Sequence, residues 1–384
     1  MKLKFKILSL FSILFINLSC TEEFEQIYNT TKKIIIVEGM VTNSDNLGPI
    51  ILKESLTERA AGSNFRPILG ATVQVIINGS ESITLTEGEE GRYYFDPSFK
   101  GEIGSSYQLK FSTPNGREYE SSEDVLEEAI PIDNVTHILD KSGIKTGDGQ
   151  VSAAYLFYAD FQDPENNQDY YFWQWKLYEQ QPICRTCLGG YWYIDPAPLG
   201  TCVEDRWLAR AGIYLDYQCS GNCWEIINSE DLEANSDEFF NGNAVKNQYI
   251  GKVPIYQHTT ALLELDQYAV TKEVYDFINL SQKQSIISGG LADTPPAALV
   301  GNIHCISDPT VNTSGLFIVA AHSTYKYWLD KQDVLKDNTP TVGLLGGRKI
   351  RLEPQSMATD RPPLAPCLEG PTRTSIMPEG WMGN

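Results

Sequence analysis

The side chains with the most reactive chemistry crowd into one stretch. Cys184, Cys187, Cys202, Cys219 and Cys223 fall between residues 184 and 223, alongside Trp192, Tyr193 and Trp207, while Cys305 and Cys367 lie further on. Cys184-x-x-Cys187 followed by Cys219-x-x-x-Cys223 approaches the spacing of a zinc site. A Cys-x-x-Cys pair can also exchange disulfides, but that role belongs to a βαβ setting, and no such pattern surrounds it. The four histidines, His137, His258, His304 and His322, show no metal-ligand spacing. His304 adjoins Cys305, yet neighbours on a strand point to opposite faces, so they do not form a nucleophile and base. Gly-x-Ser-x-Gly, His-Glu-x-x-His and a phosphate loop are missing, and Gly343 to Lys349 is too short for the last of these. Asp163, Asn166, Asn167 and Asp169 could offer oxygens to Ca²⁺, but their spacing is not that of an EF-hand, and turn chemistry is the expected reading. With 50 Asp and Glu in the chain, neighbours such as Glu230 and Asp231 carry no information about a two-carboxylate mechanism. The expectation is a non-catalytic protein without cofactor or metal.

The compartment is written at the amino terminus. Lys2, Lys4 and Lys6 precede an apolar run from Ile7 to Leu18, and Ser19-Cys20 follows. That is the layout of a secretory signal over residues 1–19, and the run is shorter than the ~20 residues a spanning helix needs. Cys20 after a small residue resembles the lipobox of bacterial lipoproteins, although Asn17 stands where Leu is usual. Acylation there would anchor the chain in a lipid bilayer, each buried CH₂ contributing about 0.8 kcal/mol. Thr21, Glu22, Glu23, Phe24 and Glu25 resemble the acidic export signal of surface lipoproteins, within a tether over residues 20–31. The expected place is the outer membrane, lipid-anchored and facing the cell surface. In an oxidising compartment thiols pair, so structural disulfides among Cys184, Cys187, Cys202, Cys219, Cys223, Cys305 and Cys367 are preferred over zinc. Seven is odd, so one thiol is left over, and the pairing stays open.

These residues need a scaffold, and its signals are those of strands. Ile34–Val41, Ala71–Ile77, Ile83–Leu85, Arg92–Phe95 and Tyr107–Phe111 are short β-rich runs separated by Gly-containing turns. They predict an Ig-like β-sandwich over residues 32–125. An acidic, Pro-containing link at 123–133 leads to a larger antiparallel β domain over 134–384, carrying the cysteine- and aromatic-rich insertion at about 180–225. Within it, Ala154–Phe161 and Tyr170–Tyr178 flank a turn-forming Asp163-Pro-Glu-Asn-Asn and read as a hairpin. Val274, Phe277, Ile278 and Ser281 share one face of a helix opened by Thr271, and one or two short helices are expected overall. Leu316–Ala320 and Tyr325–Leu329 read as closing strands. The fold class is mainly β. Thirty Lys and Arg against fifty acids give a net charge of −20, which repels a phosphate backbone and argues against nucleic acid.

Several segments, in order, resemble a Bacteroidota lipoprotein family known only as a domain of unknown function (number four-two-four-nine). They are Ile36–Val41, Gly70–Val73, Gly91–Tyr93, the 160–171 segment, Cys223-Trp224, Thr271–Phe277, Pro295-Pro296, Gly301–Ile303, Asp308-Pro309 and Gly315–Phe317. The carboxy-terminal Cys367, Pro378 and Trp381 are similar in kind. The cysteine-dense 184–223 segment departs from the pattern. The resemblance implies an accessory lipoprotein encoded beside a TonB-dependent outer-membrane receptor, helping to capture or admit its ligand. A free-standing adhesion or carbohydrate- or peptide-binding module is the alternative. In either case Trp192, Tyr193 and Trp207 are the candidate stacking residues, with core filling beside the disulfides as their structural alternative.

Overall fold

Ile35, Val37 and Val41 of the strand Ile34–Val41 turn inward and are buried, while Ile34 and Glu38 face outward. That alternation makes the strand half of a sandwich. It pairs antiparallel with Ile50–Ala60 on one side and parallel with Asn312–Val319 on the other, Val37 lying opposite Gly315. Ser63–Pro67, Thr86–Glu87 and Arg92–Tyr94 complete this sheet. The facing sheet runs Ile303–Cys305, Glu118–Ser121, Ser106–Ser112, Thr72–Ile77 and Glu81–Thr84, with Asp124–Val125 added at Ser106–Ser112. Val37, Leu52, Val75, Tyr93, Leu109 and Phe317 meet in the shared core.

The computed structural model describes residues 33–383, apart from 46, 61–62, 146–150, 166–167, 196–199, 287–298, 338 and 358–359. The signal at 1–19, Cys20, the Thr21–Glu25 segment and the tether lie outside the described residues. The first sandwich is not confined to 32–125. It borrows Ile303–Cys305 and Asn312–Val319 from the carboxy-terminal half. Parallel neighbours cannot be joined by a tight turn; here the connection between Ile34–Val41 and its parallel partner runs through the rest of the first sandwich and most strands of the second unit, with His322–Leu329 and Arg373–Thr374 following it.

That second unit is also a sandwich. One sheet orders Ile132–Lys145, Val151–Gln162 and Ala244–Pro254; the other orders His322–Leu329, Ala261–Val270, Tyr170–Gln180, Trp224–Asn228 and Arg373–Thr374, with Glu233–Ser236 also on Tyr170–Gln180. The hairpin expected across Asp163 does not form. Val151–Gln162 and Tyr170–Gln180 belong to opposite sheets, and their aromatics meet across the core, Phe161 lying 4.9 Å from Tyr171. Residues 163–169 are long enough to cross the ~10 Å between packed sheets, so the chain changes layer instead of turning back.

Among the described residues there are three α-helices, Arg206–Arg210, Lys272–Ile286 and Gln332–Asp337, besides a single 3-10 turn at Glu89–Gly91. Lys272–Ile286 lays Val274 and Ile278 on Phe172 and Val270 and reaches Leu316 and Ala320, bridging the two sandwiches. The Thr271 hydroxyl does not cap it. It is buried without a partner, while its carbonyl accepts the Tyr275 N–H. The chain is mainly β, built from antiparallel sheets with one parallel pair, and no described helix is long and apolar enough to cross a membrane.

Candidate functional site

Six of the cysteines are bridged: Cys184–Cys219, Cys187–Cys202 and Cys223–Cys367. The zinc spacing therefore has no thiolates to offer, and Cys184 and Cys187 each bond elsewhere rather than to each other. Cys305, named with the disulfide candidates, is the spare thiol; it is buried in the first sandwich, remote from the others in the fold. The bridges staple two small ribbons, Ile183–Leu188 with Tyr214–Gln218 and Gly190–Tyr193 with Thr201–Glu204.

The three aromatic candidates separate. Trp192 is only 1% exposed, packs on Tyr217 at 5.6 Å and fills the core beside the disulfides. It is not available for stacking, because the small module has little other apolar bulk to exclude water. Tyr193 is exposed, but the Arg361 guanidinium covers its ring at 4.5 Å. Arg361 is held there by Glu353 and by donating to the Trp192 carbonyl at 2.6 Å. Trp207 alone is open, 67% exposed on Arg206–Arg210. Asp205 caps that short helix, its Oδ1 accepting the Trp207 and Leu208 N–H groups at 2.9 Å each.

A second locality was not legible in the sequence, because its residues come from both sandwiches. A cleft of about 930 Å³ lies between the Thr42–Gly48 region and the outer face of the sheet containing Tyr170–Gln180, Ala261–Val270 and His322–Leu329. Reciprocal bonds tie its walls: Asn43 accepts the His322 N–H at 2.9 Å and donates to the His322 carbonyl at 3.2 Å. Lys176–Glu264 (3.8 Å), Lys326–Glu379 (2.9 Å) and Lys100–Asp45 (3.2 Å) ring the opening. Such exposed pairs contribute about 0–1 kcal/mol each, so a polar ligand can exchange with them cheaply.

Ser44, His322 and Asp266 meet in this cleft, and their geometry decides what they can do. The Ser44 hydroxyl lies 3.2 Å from Nε2 and 3.5 Å from Nδ1 of His322, aligned with neither in-plane lone pair. Asp266 approaches Nε2 at 3.9 Å, the same side of the ring that Ser44 favours. A Ser-His-Asp relay needs the hydroxyl and carboxylate on opposite nitrogens, which this arrangement does not provide. Burial pushes the His322 pKa below its ordinary value; Asp266 opposes this and Lys176 adds to it. A downward shift favours the neutral ring, which can both donate and accept. Ser44, Asp266, His322 and Lys176 had no signal in spacing; the antiparallel registers of Ala261–Val270 with His322–Leu329 and with Tyr170–Gln180 gather Asp266, His322 and Lys176, and the Asn43–His322 bonds bring Ser44 to them.

The structure thus defines a protein of two β-sandwiches, interlocked by a borrowed strand, with a polar groove at their junction and a disulfide-stapled module on the second. The chain belongs to the family described as Domain of unknown function (DUF4249), whose model matches residues 21–326. Comparison with functionally curated proteins finds no match.

Proposed function

We propose that the protein is a non-catalytic lipoprotein of the outer membrane, held by acylated Cys20 and facing the cell surface, which captures ligand for a TonB-dependent transporter or acts as its lid. The observation that carries the capture role is the cleft between the sandwiches. Its volume and its place at a junction between folded units are those of a binding site, and its mixed lysine and carboxylate rim suits a polar ligand. The amino-terminal pattern around Cys20 supports the anchor, and family membership is compatible with the accessory role. The misaligned Ser44, His322 and Asp266 support a role without catalysis.

The alternative, a free-standing adhesion or carbohydrate- or peptide-binding module, is favoured by one feature: the exposed Trp207 on its capped helix. Affinity purification from detergent-solubilised outer membranes separates the two. Recovery of a stoichiometric barrel receptor supports the transporter partnership, and its consistent absence leaves the free-standing module.

A further inference from the structure

The segment that crosses between the sheets of the second sandwich brings together three carboxylates that the sequence scatters. Asp163 closes Val151–Gln162, Asp169 precedes Tyr170–Gln180, and Asp237 follows Glu233–Ser236. Carboxylate oxygens of all three lie within 4.8 Å of one another. Asp163 is 1% exposed and Asp237 0%, so two of the charges sit inside the protein.

Asp163 is held in place by its neighbours. One oxygen accepts the Tyr171 hydroxyl and the other the Gly242 N–H at 2.7 Å. The backbone fixes the other two, the Asp237 N–H donating to the Asp169 carbonyl at 3.0 Å. Among the described residues, both oxygens of Asp237 and Oδ2 of Asp169 have no hydrogen-bond donor. No lysine or arginine among the described residues forms an ion pair with any of the three. Bare buried carboxylates facing each other are among the costliest arrangements a fold can hold, unless something positive sits between them.

We infer that Asp163, Asp169 and Asp237 form a binding site for one calcium ion. Ca²⁺ takes six to eight oxygens at about 2.3–2.6 Å, so oxygens on one ion can lie up to about 5 Å apart, which the cluster satisfies as it stands. Mg²⁺, at about 2.0–2.1 Å, would span only about 4 Å and would require the cluster to contract. An all-oxygen donor set also disfavours zinc and copper. A hollow of about 480 Å³ opens on Asp169 and carries Glu123, Asp124 and Glu127 against one lysine, Lys272, which is paired with Asp276, so the approach is on balance acidic. The bound ion would clamp both ends of the 163–169 crossover to the strand Glu233–Ser236, fixing the two sheets where no hairpin joins them.

The test uses the full mature chain, stripped with EGTA. Isothermal titration with CaCl₂ is expected to show one ion bound per chain, and added Ca²⁺ to raise the unfolding temperature where equal Mg²⁺ does so far less. Terbium is expected to show luminescence on excitation of the aromatics, since Tyr171 touches Asp163. Asp237→Asn, nearly isosteric, is expected to weaken Ca²⁺ affinity at least tenfold; should that variant fold poorly by circular dichroism, Asp169→Asn at the half-buried position decides. Absence of stoichiometric Ca²⁺ binding by the stripped wild type overturns the inference, as does unchanged affinity in the folded variants.

Discussion

Glu179 shows how far a single residue's chemistry can depend on one partner. It is wholly buried in Tyr170–Gln180 and pairs with the equally buried Lys331, while Gln257 donates to it at 3.2 Å and accepts from Lys331 at 3.2 Å. Burial pushes the Glu179 pKa up, and Lys331 works against that. Lys331→Met strands the carboxylate and is expected to cost about 3–5 kcal/mol in denaturant unfolding, much of which Glu179→Gln in the same chain should restore. Asp216 behaves differently. Burial alone would raise its pKa, but hydrogen bonds from Arg348, the Arg351 N–H and Thr186 outweigh it and the net shift is downward. A depressed carboxylate contributes stability above its unfolded pKa of about 3.9 and loses it as pH falls through the folded value. Thermal unfolding followed from pH 7 down to pH 3 should therefore show an acid-induced loss that is smaller in Asp216→Asn. An equal loss in both proteins would remove Asp216 from the account.

Among the elements, the borrowed strand Asn312–Val319 bears most on how the two sandwiches hold together. Gly315 sits at φ +95°, and a side chain there would collide with the Val37 carbonyl across the parallel pair; a side chain on Gly301 would strike the Gly315 carbonyl. Asn302, fully buried, locks the same strand by accepting the Phe317 N–H at 2.9 Å and donating to its carbonyl at 2.8 Å. Asn302→Ala leaves that backbone pair unsatisfied and is expected to cost about 1–3 kcal/mol, read as a lower denaturation midpoint at unchanged slope. The disulfide Cys223–Cys367 makes a comparable tie at the other end, joining positions 144 residues apart and holding the carboxy-terminal segment on the stapled module. Cys223→Ser with Cys367→Ser should lower stability by about 2–4 kcal/mol and open the residues beyond 352 to protease. Unchanged proteolysis would show that the Arg348, Arg361 and Arg373 contacts suffice without the bridge.

At the scale of the whole molecule, the proposed acyl anchor on Cys20 and the cleft between interlocked sandwiches make separate demands. Cys20→Ala should release the protein from membranes into the soluble fraction; continued membrane partitioning would show that acyl chains are not what hold it there. The sequence by itself determined the β class, the helix at Lys272–Ile286 and the presence of one unpaired thiol among the seven cysteines after Cys20. These follow from local patterning, which an alternating strand or an odd cysteine count expresses within a few residues. It could not determine that Asn312–Val319 joins the first sandwich, that Asp163 and Asp169 bracket a change of layer, or that Trp192 is core while Trp207 is open. Nor could it bring Ser44 to His322 or Asp237 to Asp163. Those outcomes depend on pairing between distant segments, where register and burial against a remote partner choose among options that are equivalent along the chain. Tertiary structure decided them because only in the folded chain do the competing partners have different energies.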